Sequence, residues 1–127
     1  MSRAVFFDAD GTICDLKKGI PVSTRESLPV LRKNGHTAWL CTGRCRAMIP
    51  EELAAGFDGI VAACGTYLEY QGKTLFNHEL SCAEALRSVQ VLRKYRMIPV
   101  LEGAEAMYYD LDEYTTRIDS YCGLITQ

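Results

Sequence analysis

Three short apolar segments, each followed by a turn of polar residues and glycine, constrain the fold of this chain most. The first covers residues 4–8, and residues 37–41 and 59–63 repeat its apolar composition. Continuous apolar runs of this length are typical of strands that are buried on both faces of a sheet. Helical patterns lie between these runs, so the sequence predicts the order β-α-β-α-β over residues 1–64.

Two helices are expected between the predicted strands. A capping box at Ser23–Glu26 predicts the start of the first helix, and Asn34-Gly35 predicts its end. A second, short helix is expected within residues 46–55, divided by Pro50. Connections of this length join parallel strands through right-handed crossovers. We therefore predict an α/β fold with a Rossmann-like core of three parallel strands, in which ligands bind beyond the strands' carboxyl ends.

The pattern changes after the third strand. A hairpin is expected from residues 67–70 and 74–78, joined at Gln71-Gly72-Lys73. The elements predicted after it are a helix that opens with the capping box Ser81–Glu84 and ends near Arg96, strands at 98–101 and 106–109, and a helix at 112–121. We expect a boundary near Leu80, with a partial core in residues 1–80 and part of a smaller α+β unit in residues 81–127.

Acidic residues lie at the carboxyl end of the first predicted strand. Asp8 and Asp10 stand one residue apart, before Gly11 and Thr12. If the chain turns at Gly11, both carboxylates can converge on one phosphorus atom. One could then act as a nucleophile while the other handles protons. Because close carboxylates repel each other, a divalent cation is expected, and Mg²⁺ suits oxygen ligands and a phosphate partner.

A hydroxyl and a glycine follow the second predicted strand. Thr42 and Gly43 can offer a hydroxyl and a backbone N–H to phosphate oxygens, and both loops should face the same crevice. The alternative is that Asp8, Asp10 and Gly11 form only a turn with a capping aspartate, because Asp-Gly pairs are common turn formers.

These motifs resemble those of a known family. The run Phe7–Thr12, followed by Cys41-Thr42-Gly43-Arg44, resembles the first two motifs of the haloacid dehalogenase superfamily. Residues 57–67 and the hairpin resemble its Cof-type branch, which is similar to sugar phosphatases and carries a cap domain inserted after the third core strand. That branch often has asparagine at the position of Cys64.

The resemblance implies roles for the motif residues. Asp8 would be the nucleophile that forms an aspartyl-phosphate, and Asp10 would be the general acid and base. Mg²⁺ would be ligated by Asp8 and by the backbone carbonyl of Asp10. The implied phosphate-binding residues are Gly11, Thr12, Thr42, Gly43 and Arg44, with Thr12 bracing the first loop and Arg44 as a secondary contact.

The chain lacks two further motifs of the family. Members carry a lysine after the cap and a pair of acidic residues near a fourth core strand, whereas this sequence stops at Gln127. We expect it to be the N-terminal half of a magnesium-dependent phosphatase of small phosphorylated metabolites. The alternatives are a non-catalytic relative that binds phosphate or self-associates, and a phosphotransferase or phosphomutase acting at the same site.

Composition bears on partners and location. A formal net charge of −2 gives no electrostatic basis for binding nucleic acid or an anionic membrane surface. No apolar run approaches the roughly 20 residues of a membrane span, and no signal peptide is recognisable, so we expect a cytoplasmic protein. If the missing core strands pair with the first strand, then residues 4–7 form an exposed apolar edge. We therefore expect that the chain either self-associates through that edge into a homo-oligomer or is a fragment of a longer protein.

Overall fold

The computed structural model describes residues 1–14 and 19–110. Its helices are α1 (Val22–Lys33), α2 (Glu51–Ala54) and α3 (Cys82–Lys94). Its strands are β1 (Ala4–Phe7), β2 (Thr37–Cys41), β3 (Gly59–Ala62), β4 (Tyr67–Tyr70), β5 (Lys73–Asn77), β6 (Leu101–Glu102) and β7 (Met107–Tyr108). Short 3₁₀ turns occupy Arg46–Met48 and Ala63–Gly65.

Strands β1 to β5 form one sheet in the order of the sequence. Strand β1 pairs in parallel with β2, and β2 in parallel with β3, so that Phe7, Leu40 and Ile60 lie side by side. Strands β4 and β5 add antiparallel to β3 as a hairpin. The predicted α/β class with three parallel core strands is confirmed, and the hairpin belongs to the same sheet.

The hydrophobic core lies against one face of this sheet. Alternate residues of β2 and β3, among them Ala38, Leu40 and Ile60, are buried against Leu28 of α1 and Leu53 of α2. A polar contact strengthens the same packing. The carboxylate of Asp58 accepts hydrogen bonds from the backbone N–H of Ala38 at 2.8 Å and from Arg32 Nε at 3.2 Å. Arg32 thereby ties α1 to the β2–β3 connection.

The opposite face of the sheet carries an aromatic row. Phe6, Trp39, Gly59 and Tyr70 are neighbours across four strands. The Trp39 ring stacks on Tyr70, with centroids 5.2 Å apart and planes 7° from parallel, and contacts Phe6 at 5.6 Å. The Phe6 side chain, on the terminal strand of the row, is 58% exposed.

The predicted start of α1 is wrong. The helix begins at Val22, and Pro21 is its N-cap, with no side-chain capping bond. The carbonyl of Pro21 accepts hydrogen bonds from the N–H groups of Thr24 and Arg25, so the backbone itself starts the helix ahead of the predicted capping box. Pro29 lies inside α1 at an exposed position, and the predicted end at Asn34 is confirmed.

Three other sequence signals agree better with the structure than the predicted start of α1 does. Ser81 and Glu84 form a complete capping box at the start of α3. Gln71 and Gly72 both have positive φ, 50° and 72°, as expected for a two-residue hairpin turn. Pro50 separates the 3₁₀ turn Arg46–Met48 from α2, as predicted.

The second unit contains α3 and a separate two-stranded sheet of β6 and β7. Both strands are shorter than predicted, with two residues each. The division near Leu80 stays a prediction, and the predicted helix at 112–121 lies outside the described residues. Nowhere in the described ranges is there a helix long and apolar enough to cross a membrane.

Candidate active site

The loop after β1 winds tightly around Ala9, whose side chain is fully buried. The carbonyl of Ala9 accepts hydrogen bonds from the N–H groups of Thr12, Ile13 and Cys14, at 3.3, 3.1 and 2.9 Å. This coil requires the positive φ of 77° at Gly11, which glycine adopts without steric cost. The predicted turn at Gly11 is therefore present, and it leaves Asp8 exposed at the strand end.

Thr12 lies beside Asp8. Its hydroxyl donates to Asp8 Oδ2 over 3.5 Å, a long and therefore weak hydrogen bond. The family resemblance implied a bracing role for Thr12 in this loop, which stays a prediction.

The loop after β2 begins with the buried Thr42. Its N–H donates to the carbonyl of Val61 at 2.9 Å, which continues the pairing of β2 with β3. Its hydroxyl accepts a hydrogen bond from the backbone N–H of Arg44 at 3.2 Å and closes a tight turn around the exposed Gly43. Both predicted phosphate-binding positions are thus at the carboxyl end of the strand next to β1.

Arg44 joins the two loops. Its guanidinium pairs with the Asp10 carboxylate through two hydrogen bonds, from Nε to Oδ2 at 2.9 Å and from Nη2 to Oδ1. The Arg44 side chain is only 7% exposed, whereas that of Asp10 is 40% exposed. Sequence reasoning placed Arg44 on the phosphate, but its guanidinium is occupied by Asp10.

A third loop packs against the second. The N–H of Ala63 donates to the carbonyl of Arg44 at 2.7 Å. Ala63, Cys64 and Gly65 all have positive φ, 49°, 53° and 94°. For alanine and cysteine this conformation costs about 1–3 kcal/mol each and persists only where neighbouring contacts impose it. Sequence reasoning missed this turn, because Gly65 is its sole local signal.

Comparison with known proteins identifies the family. A family model of haloacid dehalogenase-like hydrolases matches residues 5–122. The chain belongs to this family.

Two curated members of this family are similar in sequence. The chain is 32% identical over 82 residues to YkrA of Bacillus subtilis (strain 168), which is named as a candidate phosphatase. It is 29% identical over 113 residues to the pyridoxal phosphate phosphatase YbhA of Escherichia coli (strain K12). These matches cover 62% and 86% of this chain but 31% and 42% of the relatives, so the chain spans less than half of their length.

Solved structures of the family share the fold. A protein from Geobacillus kaustophilus HTA426 superposes with a TM-score of 0.80 at 26% identity, covering 95% of this chain and 49% of its own. The subclass IIB sugar phosphatase BT4131 superposes with a TM-score of 0.75 at 23% identity. The superposition covers 96% of this chain and 49% of BT4131. At that identity, the likeness to BT4131 shows the fold alone.

A cleft of about 560 Å³ opens beside the loops of this hydrolase-like site. Gly43 and Cys64 form its wall on the core side, whereas Ala85, Glu102 and Tyr108 contribute from the second unit. A ligand held at Gly43 would therefore contact residues of both units.

Arg46 lines this cleft and was not singled out from the sequence. It donates to Glu69 at 3.0 Å and to Glu51 at 2.7 Å, and Tyr67 donates to the same Glu69 at 3.0 Å. Burial alone would lower the pKa of Arg46, but the two carboxylates raise it, so the guanidinium stays charged. Its partners are scattered through residues 51–69, which is why no local motif reveals the network.

Cys45 follows Arg44 but is fully buried. Burial raises the pKa of its thiol, so it packs as a neutral side chain and is not poised for nucleophilic attack.

The residues present suit a magnesium ion only in part. Among the side chains of residues 1–14 and 19–110, no three of His, Cys, Asp or Glu lie together as a metal site. However, Mg²⁺ commonly uses one or two protein carboxylates together with water and substrate phosphate. The family resemblance implies the Asp8 carboxylate and the Asp10 backbone carbonyl as its ligands, and the Asp10 carboxylate is paired with Arg44.

Proposed function

We propose that the protein hydrolyses phosphate monoesters of small metabolites, such as sugar phosphates or pyridoxal phosphate, through an aspartyl-phosphate on Asp8. The observation that carries this proposal is the Arg44–Asp10 pair, which fastens the loop after β1 to the loop that holds Thr42. The phosphatase names of the relatives support the same reaction.

In the first step, a carboxylate oxygen of Asp8 forms a bond to phosphorus while the bond from phosphorus to the leaving oxygen breaks. Asp10 donates a proton to that oxygen, and the alcohol departs. In the second step, Asp10 takes a proton from water, whose oxygen bonds to phosphorus. The bond between phosphorus and Asp8 then breaks and releases inorganic phosphate.

The neighbouring groups bind the phosphoryl oxygens in this proposal. The Thr42 hydroxyl and the Gly43 N–H, after β2, donate hydrogen bonds to these oxygens. The turn at Gly11 and Thr12, after β1, binds them from the other loop. When bound, Mg²⁺ supplies positive charge that offsets the carboxylates and the phosphate oxygens, and the Asp8 carboxylate and the Asp10 carbonyl would hold it.

The test is phosphate release with Mg²⁺ from glucose 6-phosphate and pyridoxal 5′-phosphate. Asp8→Asn should abolish release, and Asp10→Asn should lower it by about 10²–10⁴-fold, the usual contribution of a general acid and base. Asp110→Asn is the matched control, because this exposed carboxylate pairs with Arg93 on the surface. Release that survives Asp8→Asn would refute the proposal.

The same assay separates the alternatives. Transfer of the phosphoryl group to an added sugar, without phosphate release, would indicate a phosphotransferase or phosphomutase. Phosphate binding without turnover would indicate a non-catalytic relative.

We also propose that two copies of the chain associate through β1. This strand is terminal in the sheet of the described residues and pairs with β2 alone. An antiparallel β1 from a second copy would satisfy the open backbone edge of both strands and cover both Phe6 side chains, as a two-fold interface requires.

A further inference from the structure

We propose that Arg44 is a positioning residue, which fixes the Asp10 carboxylate for proton transfer and is not a ligand of the phosphoryl group. The inference rests on the proposed function, because it concerns the proton that Asp10 gives to the leaving oxygen.

The guanidinium is engaged at each of its nitrogen atoms. Nε and Nη2 donate to the two oxygens of Asp10, and Nη1 donates to the carbonyl of Met48 at 3.5 Å. Two parallel hydrogen bonds prevent rotation of the carboxylate in a way that one bond does not. With its fork directed at Asp10, Arg44 has little capacity left for an incoming phosphate.

The backbone of Arg44 is held independently of its side chain. Its N–H donates to the Thr42 hydroxyl, and its carbonyl accepts from Ala63. A substitution at position 44 therefore preserves the contacts that join the second and third loops. What it removes is the fixed orientation of Asp10 relative to Thr42.

Burial makes this pair asymmetric. Arg44 is 7% exposed and needs a counter-charge, whereas Asp10 is 40% exposed and can be hydrated without its partner. Arg44→Met consequently leaves no buried unpaired charge, and Asp10 becomes free to rotate. Arg44→Lys retains the charge but lacks the planar fork, so it should hold Asp10 only in part.

A mobile Asp10 affects substrates according to their leaving group. The alkoxide of glucose 6-phosphate leaves poorly without a proton, whereas the nitrophenolate of p-nitrophenyl phosphate departs without one. A general acid that is misplaced therefore slows formation of the aspartyl-phosphate from the first substrate and largely spares it from the second. Because hydrolysis of that intermediate uses Asp10 for both substrates, the comparison is made in kcat/KM, which reports on the steps up to departure of the alcohol or phenol. General damage to the fold would slow both equally.

The experiment compares these two substrates at saturating Mg²⁺ in wild type, Arg44→Met and Arg44→Lys. For Arg44→Met we expect kcat/KM on glucose 6-phosphate to fall about 100-fold, the usual effect of a displaced catalytic group. On p-nitrophenyl phosphate kcat/KM should fall less than about tenfold, and Arg44→Lys should give intermediate values.

Arg32→Met is the matched control. Arg32 pairs with Asp58 and donates to the Gly56 carbonyl at 2.6 Å, as Arg44 pairs with Asp10 and donates to a carbonyl, but it lies in α1. This variant should lower the free energy of unfolding without changing the ratio of the two kcat/KM values.

Binding of inorganic phosphate to the same proteins, followed by ³¹P NMR, gives a readout without turnover. The affinity in Arg44→Met should stay within about threefold of wild type, which is under 1 kcal/mol. A tenfold or greater weakening, on the order of 1.4 kcal/mol, would make Arg44 a phosphate ligand and overturn the proposal.

The remaining outcomes are distinct. Equal losses of kcat/KM on both substrates in Arg44→Met would overturn the positioning role alone. Absence of turnover in wild type would overturn the proposed function, and the role of Arg44 with it.

Discussion

The indole ring of Trp39 lies directly over Gly59 on the neighbouring strand. A Cβ built on Gly59 would lie 2.7 Å from Trp39 Cη2 and nearer still to Cζ3 and Cε3. Side-chain carbons do not approach this closely, so the absence of a side chain at position 59 allows the ring to cross β3 and stack on Tyr70.

This contact predicts the effect of Gly59→Ala. The new methyl group should displace the Trp39 ring and lower the free energy of unfolding by about 1–3 kcal/mol, as overpacking does elsewhere. Urea unfolding, followed by tryptophan fluorescence, measures the change and reports on the ring itself.

The same substitution in a variant without the indole ring tests whether the ring causes the loss of stability. With Trp39→Val already present, Gly59→Ala meets no ring and should be neutral or stabilise by roughly 0.5–1 kcal/mol, because alanine loses less backbone entropy than glycine on folding. An equal destabilisation in both backgrounds would show that the ring is not the reason for glycine at this position.

The three parallel strands were predictable from sequence because each is a continuous apolar run. The predicted burial of β1 is wrong, because β1 is the terminal strand in the described sheet and its residues are exposed or half-buried. Strand β2 has the predicted bounds, and β1 and β3 each end one residue early. The start of α1 was not predictable from its capping box, since the helix begins at Val22 with Pro21 as its N-cap and no side-chain capping bond forms there.

The positions of the site residues at the strand ends were predictable from the sequence, whereas the contacts between the residues were not. Asp8, Thr42 and Gly43 lie at strand ends as expected, because parallel strands present their carboxyl ends at one edge. The pairing of Asp10 with Arg44 joins residues 34 positions apart. It depends on how two loops approach each other, which no local pattern encodes.

The capping box of α3 predicts a pH dependence. Hydrogen bonds from the hydroxyl and N–H of Ser81 lower the pKa of the Glu84 carboxyl. The folded state therefore favours ionised Glu84, and its stabilisation is present above the unfolded pKa of about 4.3 and lost as the pH falls through the lower folded value.

Glu84→Gln tests this dependence. The variant should unfold more easily than wild type at neutral pH, and the two stabilities should converge below about pH 4. Urea unfolding across this pH range, followed by helical circular dichroism, measures the difference. Glu105→Gln, an exposed glutamate outside the α3 cap, is the control. A gap between wild type and Glu84→Gln that persists in acid would contradict the assignment.

The proposed pairing of two copies through β1 predicts a concentration-dependent dimer. Phe6→Lys should produce a monomer, because a charge on an edge strand opposes pairing with another strand and this side chain lies at the open end of the aromatic row. Light scattering after size-exclusion chromatography measures the mass of both proteins over a range of concentrations.

Phe76→Lys is the matched control for this prediction. Phe76 lies on β5, the opposite terminal strand of the sheet, and is 50% exposed compared with 58% for Phe6. If β1 forms the interface, then Phe76→Lys remains dimeric while Phe6→Lys does not. Dissociation by Phe76→Lys alone would move the interface to β5, and a wild type that stays monomeric at all concentrations would rule out self-association through either edge.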